Sequence, residues 1–428
     1  MKRIVAILVG VFATLSAEAA ELLIEKVTVV SPEQPRPLVD RYVLIRNERI
    51  ATISDKPIKV SALVVRVDGN GKFLTPGLMD SHVHVSATPG LDYLPDEKLA
   101  PLVRAYTKQQ PRSYLYFGVT QLLDLSNTSD AITAFNAQPL HPDLFRCGAA
   151  PALNGYPVAS VPVPARYRLL PDYIFEPANK DELPSGTKAS EHTPEAVVAR
   201  IASSDAKCVK IFIETGFGGT KEWPILSNAT MDRVRELAHA RGLLVVAHAN
   251  ALDSQRIAVV THVDVLAHGL WSWTGVDDKG GVPSEIAEHL QEVHAQKIGW
   301  QATLRVLPGI QEMYMSGTLD DPVYKKVVPS QLLAWYRTEE GEWFKRETRG
   351  PRTTDALDPV MANIFARGSD RGMRATHYLY ELGHTMLLGS DTPAAPTYGS
   401  QPGYDTYREM RLLAQAGVKL KDVFAAAT

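Results

Sequence analysis

His82 and His84 stand two apart in the run GLMDSHVHV, and a strand's period of two turns both imidazoles toward one face. Neutral imidazole is the commonest side-chain ligand for zinc-like cations, so the pair supplies part of a metal donor set. An isolated pair of histidines can equally be structural. Three further residues of ligand type shift that balance: His248 ends LLVVAH, His268 ends VDVLAH and Asp391 ends MLLGSD, each closing an apolar run. Histidines scattered through a core would not share that position. Lys210, inside the apolar run AKCVKIF, is the remaining oddity. A lysine there is commonly salt-bridged or extends its ammonium to solvent, but this one points by alternation toward the same pocket. A buried lysine has a lowered pKa and a nucleophilic neutral amine, which can capture carbon dioxide as a carbamate and so bridge two cations.

These residues need elements to hold them. Between Glu21 and Val67 the short runs ELLIEKVTVV, RYVLIRN, RIATIS and LVVRV predict a small β domain spanning 20–76. From Gly77 onward, apolar runs alternate with helical segments: GLMDSHVHV, GVTQLLDL, DLFRCGAAPAL, AKCVKIFIE, GLLVVAHA, VDVLAH, IGWQATL and HTMLLGSD. Eight strands, mostly with a helix after each, are the arithmetic of a (β/α)8 barrel over 77–428. The ligand-type residues then close strands one, five, six and eight, with Lys210 on strand four. Two connections are long, 151–187 after strand three and 306–376 after strand seven. Both should rise over the C-terminal face, where such barrels carry their chemistry.

Composition narrows the class of partner. The 428 residues are 45% hydrophobic and 22% charged, an ordinary globular profile that argues against disorder, collagen or coiled coil. With 45 basic and 48 acidic residues and no long run of one sign, no electrostatic footprint for nucleic acid exists, and a small-molecule substrate is expected. The composition leaves a homo-oligomer open. Residues 1–19 read as a signal peptide: Lys2 and Arg3, an uncharged stretch from Ile4 to Ser16, then Ala17-Glu18-Ala19 as a cleavage site. The uncharged stretch is shorter than a spanning helix requires, so a cleaved, periplasmic or secreted protein without a stable membrane span is expected. Cys147 and Cys208 are too few for a disulfide framework; buried free thiols are the favoured reading, with their pairing left open.

The run LTPGLMDSHVHV, the Lys210 strand, His248, His268 and LLGSDT resemble the amidohydrolase superfamily, and the pattern is similar to its imidazolonepropionase-like and prolidase-like members. The likeness runs from the small β domain to GVKLKDVFAAAT. It implies that His82 and His84 bind the more buried of two metals, that His248 and His268 bind the other, and that Lys210 bridges them as a carbamate. Asp391 would bind metal and carry the proton. His-rich ligation favours zinc, two ions per chain. By the same likeness the β-sandwich-like small domain should continue beyond Thr428 into further strands. The glycine and histidine signatures of some dipeptidase relatives are missing from PALNGYPVAS, so their substrates do not transfer.

The expected reaction is hydrolysis of an amide or other C–N bond in an N-acyl amino acid, a dipeptide or a cyclic amide. Alternatives are a mononuclear deaminase-type enzyme with an unmodified Lys210 and one metal on His82, His84, His248 and Asp391, a lactonase or phosphotriesterase using the same metals, and a non-catalytic metal-binding protein. Around the site, Asp124 is expected to cap a helix, support a ligand or touch substrate, and His384 to be structural. ETGFGG after strand four lacks both nucleotide-loop patterns. Tyr156, Trp271 and Tyr398, with Tyr93 and Trp273, lie on loops that follow strands; the first three are the substrate-binding candidates.

Overall fold

The computed structural model describes residues 21–92, 95–163, 165–179, 181–217, 222–350 and 355–428. Residues 1–19, expected to be a signal peptide, and Tyr93 fall outside them. The chain divides into two compact units between Pro76 and Gly77.

The first unit is one mixed sheet rather than a pair of facing sheets. Strands β1 (Leu22–Val29), β2 (Leu38–Arg46), β3 (Arg49–Ser54) and β4 (Val65–Asp68) lie in the order β3-β2-β1-β4, and the short β5 (Phe73–Leu74) pairs with β1. Asn47 and Glu48, both at positive φ (50° and 61°), form the two-residue turn between β2 and β3, which matches the twist of an antiparallel hairpin. Leu23, Leu44 and Val64 are its small buried core.

The second unit is the (β/α)8 barrel. Its strands are β6 (Leu78–Val83), β7 (Val119–Asp124), β8 (Asp143–Ala149), β9 (Cys208–Phe212), β10 (Leu244–His248), β11 (Val265–Leu266), β12 (Gly299–Gln301) and β13 (Met386–Leu387). They pair in parallel in chain order. The ends of the sheet meet through Ser81 N–H on the Leu388 carbonyl (2.9 Å), Asp391 N–H on that of His82 (2.8 Å) and His84 N–H on that of Thr392 (2.9 Å). This closure brings strands one and eight, and their ligand-type side chains, side by side.

Alternation sorts each strand. On β9 and β10, Val209, Ile211, Val245 and Ala247 pack outward against the helices, while Cys208 and Val246 belong to the barrel interior and Lys210 and His248 lie one layer above them. The helices form where charged periodicity predicts them, as at Asn228–His239 and Ser284–Ala295; the Ser227 hydroxyl accepts the Thr230 N–H at the start of the former.

The reading of Cys147 and Cys208 as free thiols is corrected: they form a disulfide across β8 and β9. They are directly opposed in register, with Cα atoms 4.5 Å apart, a pairing of parallel neighbours that spacing 61 residues apart in sequence does not reveal. The loop after β8 packs around its own core of Leu153, Val158 and Tyr173. The segment after β12 folds into short helices around Tyr314, Tyr324, Leu332 and Tyr336, and then into a 24-residue helix, Asp358–Glu381, that returns the chain to β13.

Candidate metal centre

His82 and His84 are delivered by β6 and the residue just past it, and Asp391 by the turn after β13. The Asp391 carboxylate Oδ1 lies 3.0 Å from His82 Nε2 and 2.9 Å from His84 Nε2. Asp391 adopts φ 57°, a left-handed conformation that costs an aspartate less than most side chains and that clusters at functional sites. Its backbone N–H on the His82 carbonyl holds that turn in place. Gly389 makes the approach possible: a Cβ there would lie 2.7 Å from the Cβ of His82. Asp80, two residues before His82, is fully buried and accepts the Ser390 N–H (2.9 Å) and the Thr406 hydroxyl (2.6 Å), tying strand one to strand eight below the ligands.

His248 and His268 face each other, Nδ1 of the first 2.8 Å from Nε2 of the second. Each ring has an outer partner. His248 Nε2 lies 3.3 Å from Glu214 Oε2, and Asn250 Nδ2 donates to the same carboxylate oxygen at 3.2 Å. His268 Nδ1 lies 3.0 Å from the Thr303 hydroxyl and 3.7 Å from Asp391 Oδ2, which joins the two halves of the cluster. Beneath both, buried Gln255 donates to the carbonyls of Ala249 (3.0 Å) and His268 (3.1 Å). Both amide hydrogens are thereby used, so its oxygen accepts from His289 Nε2 at 3.0 Å.

Lys210 is 1% exposed, and its Nζ has no hydrogen-bond partner among the described residues. Burial pulls its ammonium down to about 7 against the opposing charge of Asp391. Burial also depresses His82, to about 3, and holds His268 well below the ordinary imidazole range, so both rings offer lone pairs. Burial alone would raise Asp391; His82 and His84 overcome it and keep the carboxyl well below its usual value. Neutral imidazoles, a carboxylate and an orphaned amine fit a divalent cation site. Ligand atoms of His82, His268 and Asp391 lie within 4.8 Å of one another.

The structure thus brings His82, His84, His248, His268 and Asp391 together, with Lys210 buried on the neighbouring β9. Of the substrate-binding candidates, the Tyr156 ring lies 4.8 Å from that of His248 and the Trp271 ring 5.3 Å from that of His268. Tyr398 sits instead in the core of the segment after β12, where its hydroxyl meets the Met313 carbonyl. Trp273 is buried and bonds the Leu270 carbonyl. Asp124 accepts the N–H groups of Val85 and Ser126 and lies 3.9 Å from His84 Nδ1. His384 contacts the Ile298 carbonyl, a structural place. Sequence reasoning missed the outer partners. Asp80 carries a signal, sharing the alternation of His82; Glu214 follows Lys210 by four residues, but nothing in its motif announces a histidine partner; the contacts of Thr303 and Gln255 depend on packing alone.

Residues 73–271 match the model of the amidohydrolase family. No curated protein sequence matches this chain. Among solved structures, it is similar to a Xaa-Pro dipeptidase with bound methionine (16% identity, TM-score 0.59, covering 96% of this chain and 87% of that one). It is also similar to an ochratoxinase from A. niger (18%, 0.61, 96% and 83%) and to a molinate hydrolase (15%, 0.63, 96% and 84%). At such identities the likenesses speak to the fold alone. The amidohydrolase family match over 73–271 spans the strands that carry His82, His84, Lys210, His248 and His268, and the closed eight-stranded barrel sets the His82, His268 and Asp391 group at its strand ends.

Proposed function

We propose that the protein is a metal-dependent hydrolase that cleaves an amide or other C–N bond of a small molecule. The observation that carries this reading is the convergence of His82, His84, His248, His268 and Asp391 beside a buried Lys210 whose Nζ has no hydrogen-bond partner among the described residues. Two divalent cations, with zinc favoured by the nitrogen-rich donors, would be held by these residues, with Lys210 carboxylated as the bridge. Bound there, they would supply Lewis acidity toward a water molecule and the scissile carbonyl. In this reading Asp391 would take the proton from the attacking water and return it to the leaving nitrogen, a base and then an acid at one carboxylate. His82 and His84 keep the Asp391 carboxyl ionised. The outer contacts of Glu214 and Thr303 fix which ring nitrogens of His248 and His268 point inward.

A one-cation site is the second reading, supported by the compactness of the His82, His268 and Asp391 group. Metal analysis separates them: two ions per chain requires the bridge, one does not. The main test is hydrolysis by the zinc-loaded chain across N-acyl amino acids, dipeptides and lactones. Activity abolished by a chelator and restored by zinc is expected; no turnover, or turnover indifferent to the chelator, overturns the reading. Export to an oxidising compartment is proposed with it, on the leader-like residues 1–19 and the Cys147–Cys208 disulfide. No helix among the described residues is long and apolar enough to cross a membrane.

A further inference from the structure

The His248 side of the site carries more aromatic surface than ligand support requires. Tyr156, Phe212 and Phe217 surround the His248 ring at centroid distances of 4.8, 6.1 and 6.2 Å. Trp223 stacks on Tyr156 (5.6 Å, 20° between planes), and Phe217 stands edge-on to both, at 87° to Tyr156 and 84° to Trp223. Phe212 ends β9, Tyr156 comes from the loop after β8, and Phe217 and Trp223 come from the loop after β9, so their convergence is a product of the barrel's C-terminal face. Phe217 is the informative member. It is 54% exposed, although a phenyl ring could be covered at a site built of three other rings. An exposed ring whose neighbours are aromatic offers a face and an edge to a further planar group, in the offset or edge-to-face geometry such pairs prefer.

Resting on the hydrolase reading above, we infer that the corner formed by Tyr156, Phe217 and Trp223 is a specificity subsite, and that the substrate carries an aromatic ring next to the scissile carbon–nitrogen bond. The polar groups at this corner fit that assignment. Glu214, on the same loop as Phe217, is engaged by His248, Asn250 and the Gly216 N–H, so its carboxylate is already held by protein partners. A ring seated there would place its attached carbonyl against the His248 and His268 half of the centre, while Trp271 flanks His268 from the loop after β11.

The test uses the zinc-loaded full chain and matched pairs: N-benzoylglycine against N-acetylglycine, and N-acetylphenylalanine against N-acetylalanine. One aromatic member should be turned over at least about tenfold more efficiently in kcat/KM than its partner. Phe217→Ala should erase that preference through KM, leaving metal content and turnover of the aliphatic partner within about twofold of wild type. A second readout needs no turnover: phenylacetamide should perturb the tryptophan fluorescence of the metal-free protein at concentrations where acetamide does not, and Trp223→Phe should remove the response. Equal turnover within both pairs, or Phe217→Ala lowering all substrates alike, overturns the subsite while leaving the hydrolase reading intact. Absence of turnover on every compound overturns the hydrolase reading, and the fluorescence arm then decides whether the corner binds aromatic rings at all.

Discussion

The two halves of the candidate metal centre are built by different means. His82, His84 and Asp391 are fixed by the barrel's own closure, through backbone hydrogen bonds between strands one and eight and the buried Asp80 beneath them. His248 and His268 sit on strands that are neighbours anyway, and their rings are aimed by side chains: Glu214, Asn250 and Thr303 from outside, with Gln255 binding the backbone below. The difference teaches that geometry can be enforced by the fold or by local partners. Damage to one half therefore need not resemble damage to the other.

The largest effect is expected in the first half. Asp391→Asn should lower turnover by about 10^2–10^4-fold, since it removes the proton carrier and the anion that both histidines share. Steady-state kinetics with metal analysis checks this, with a cation retained on the His248 side; wild-type turnover would dissolve the distinction. Next comes the link between halves. Lys210→Ala should lower metal content and regain partial activity with acetate or formate, whereas Lys210→Arg should not be rescued, because guanidinium cannot form a carbamate and keeps its charge. A fully active Lys210→Arg enzyme would establish the one-cation reading.

Glu214→Gln sharpens the comparison. It should weaken one cation by about 10–100-fold and spare the other, as loss of an outer partner does in metal sites generally. Equal weakening of both, measured by chelator competition, would show that the halves share their support. The smallest effect concerns pH. Burial lowers His289 from 6.5 to about 4, so it is neutral in the folded chain and protonates only below that range. Its contribution to stability is present above about pH 6.5 and is lost as pH falls through about 4. Between pH 7 and 5 this amounts to about 2 kcal/mol. His289→Gln, able to donate to Gln255, should flatten that loss in thermal unfolding; an unchanged slope would mean that His289 is not its source.

The legible part of the molecule is the part written in periodicity. Each of the eight apolar runs became a strand of the barrel, because a run buried on both faces has few other places to go. The ligand-type residues were legible because they end those runs. The outer partners were not, since Thr303 and Gln255 owe their roles to neighbours 35 and 13 residues away that only packing brings near. Tyr156 and Tyr398 show the same limit. Both follow strands, yet one lies against His248 and the other among the tyrosines after β12.

By itself the sequence determined which residues are strands, which face each side chain takes along a strand and which residues can bind metal, because these follow from local alternation and side-chain chemistry. Only the tertiary structure decided that Cys147 meets Cys208, that Asp391 turns left-handed onto two histidines, and that Lys210 Nζ has no hydrogen-bond partner among the described residues. Those outcomes depend on register and on closure of the sheet, and pairing between strands far apart in sequence is set by the packing of the whole barrel.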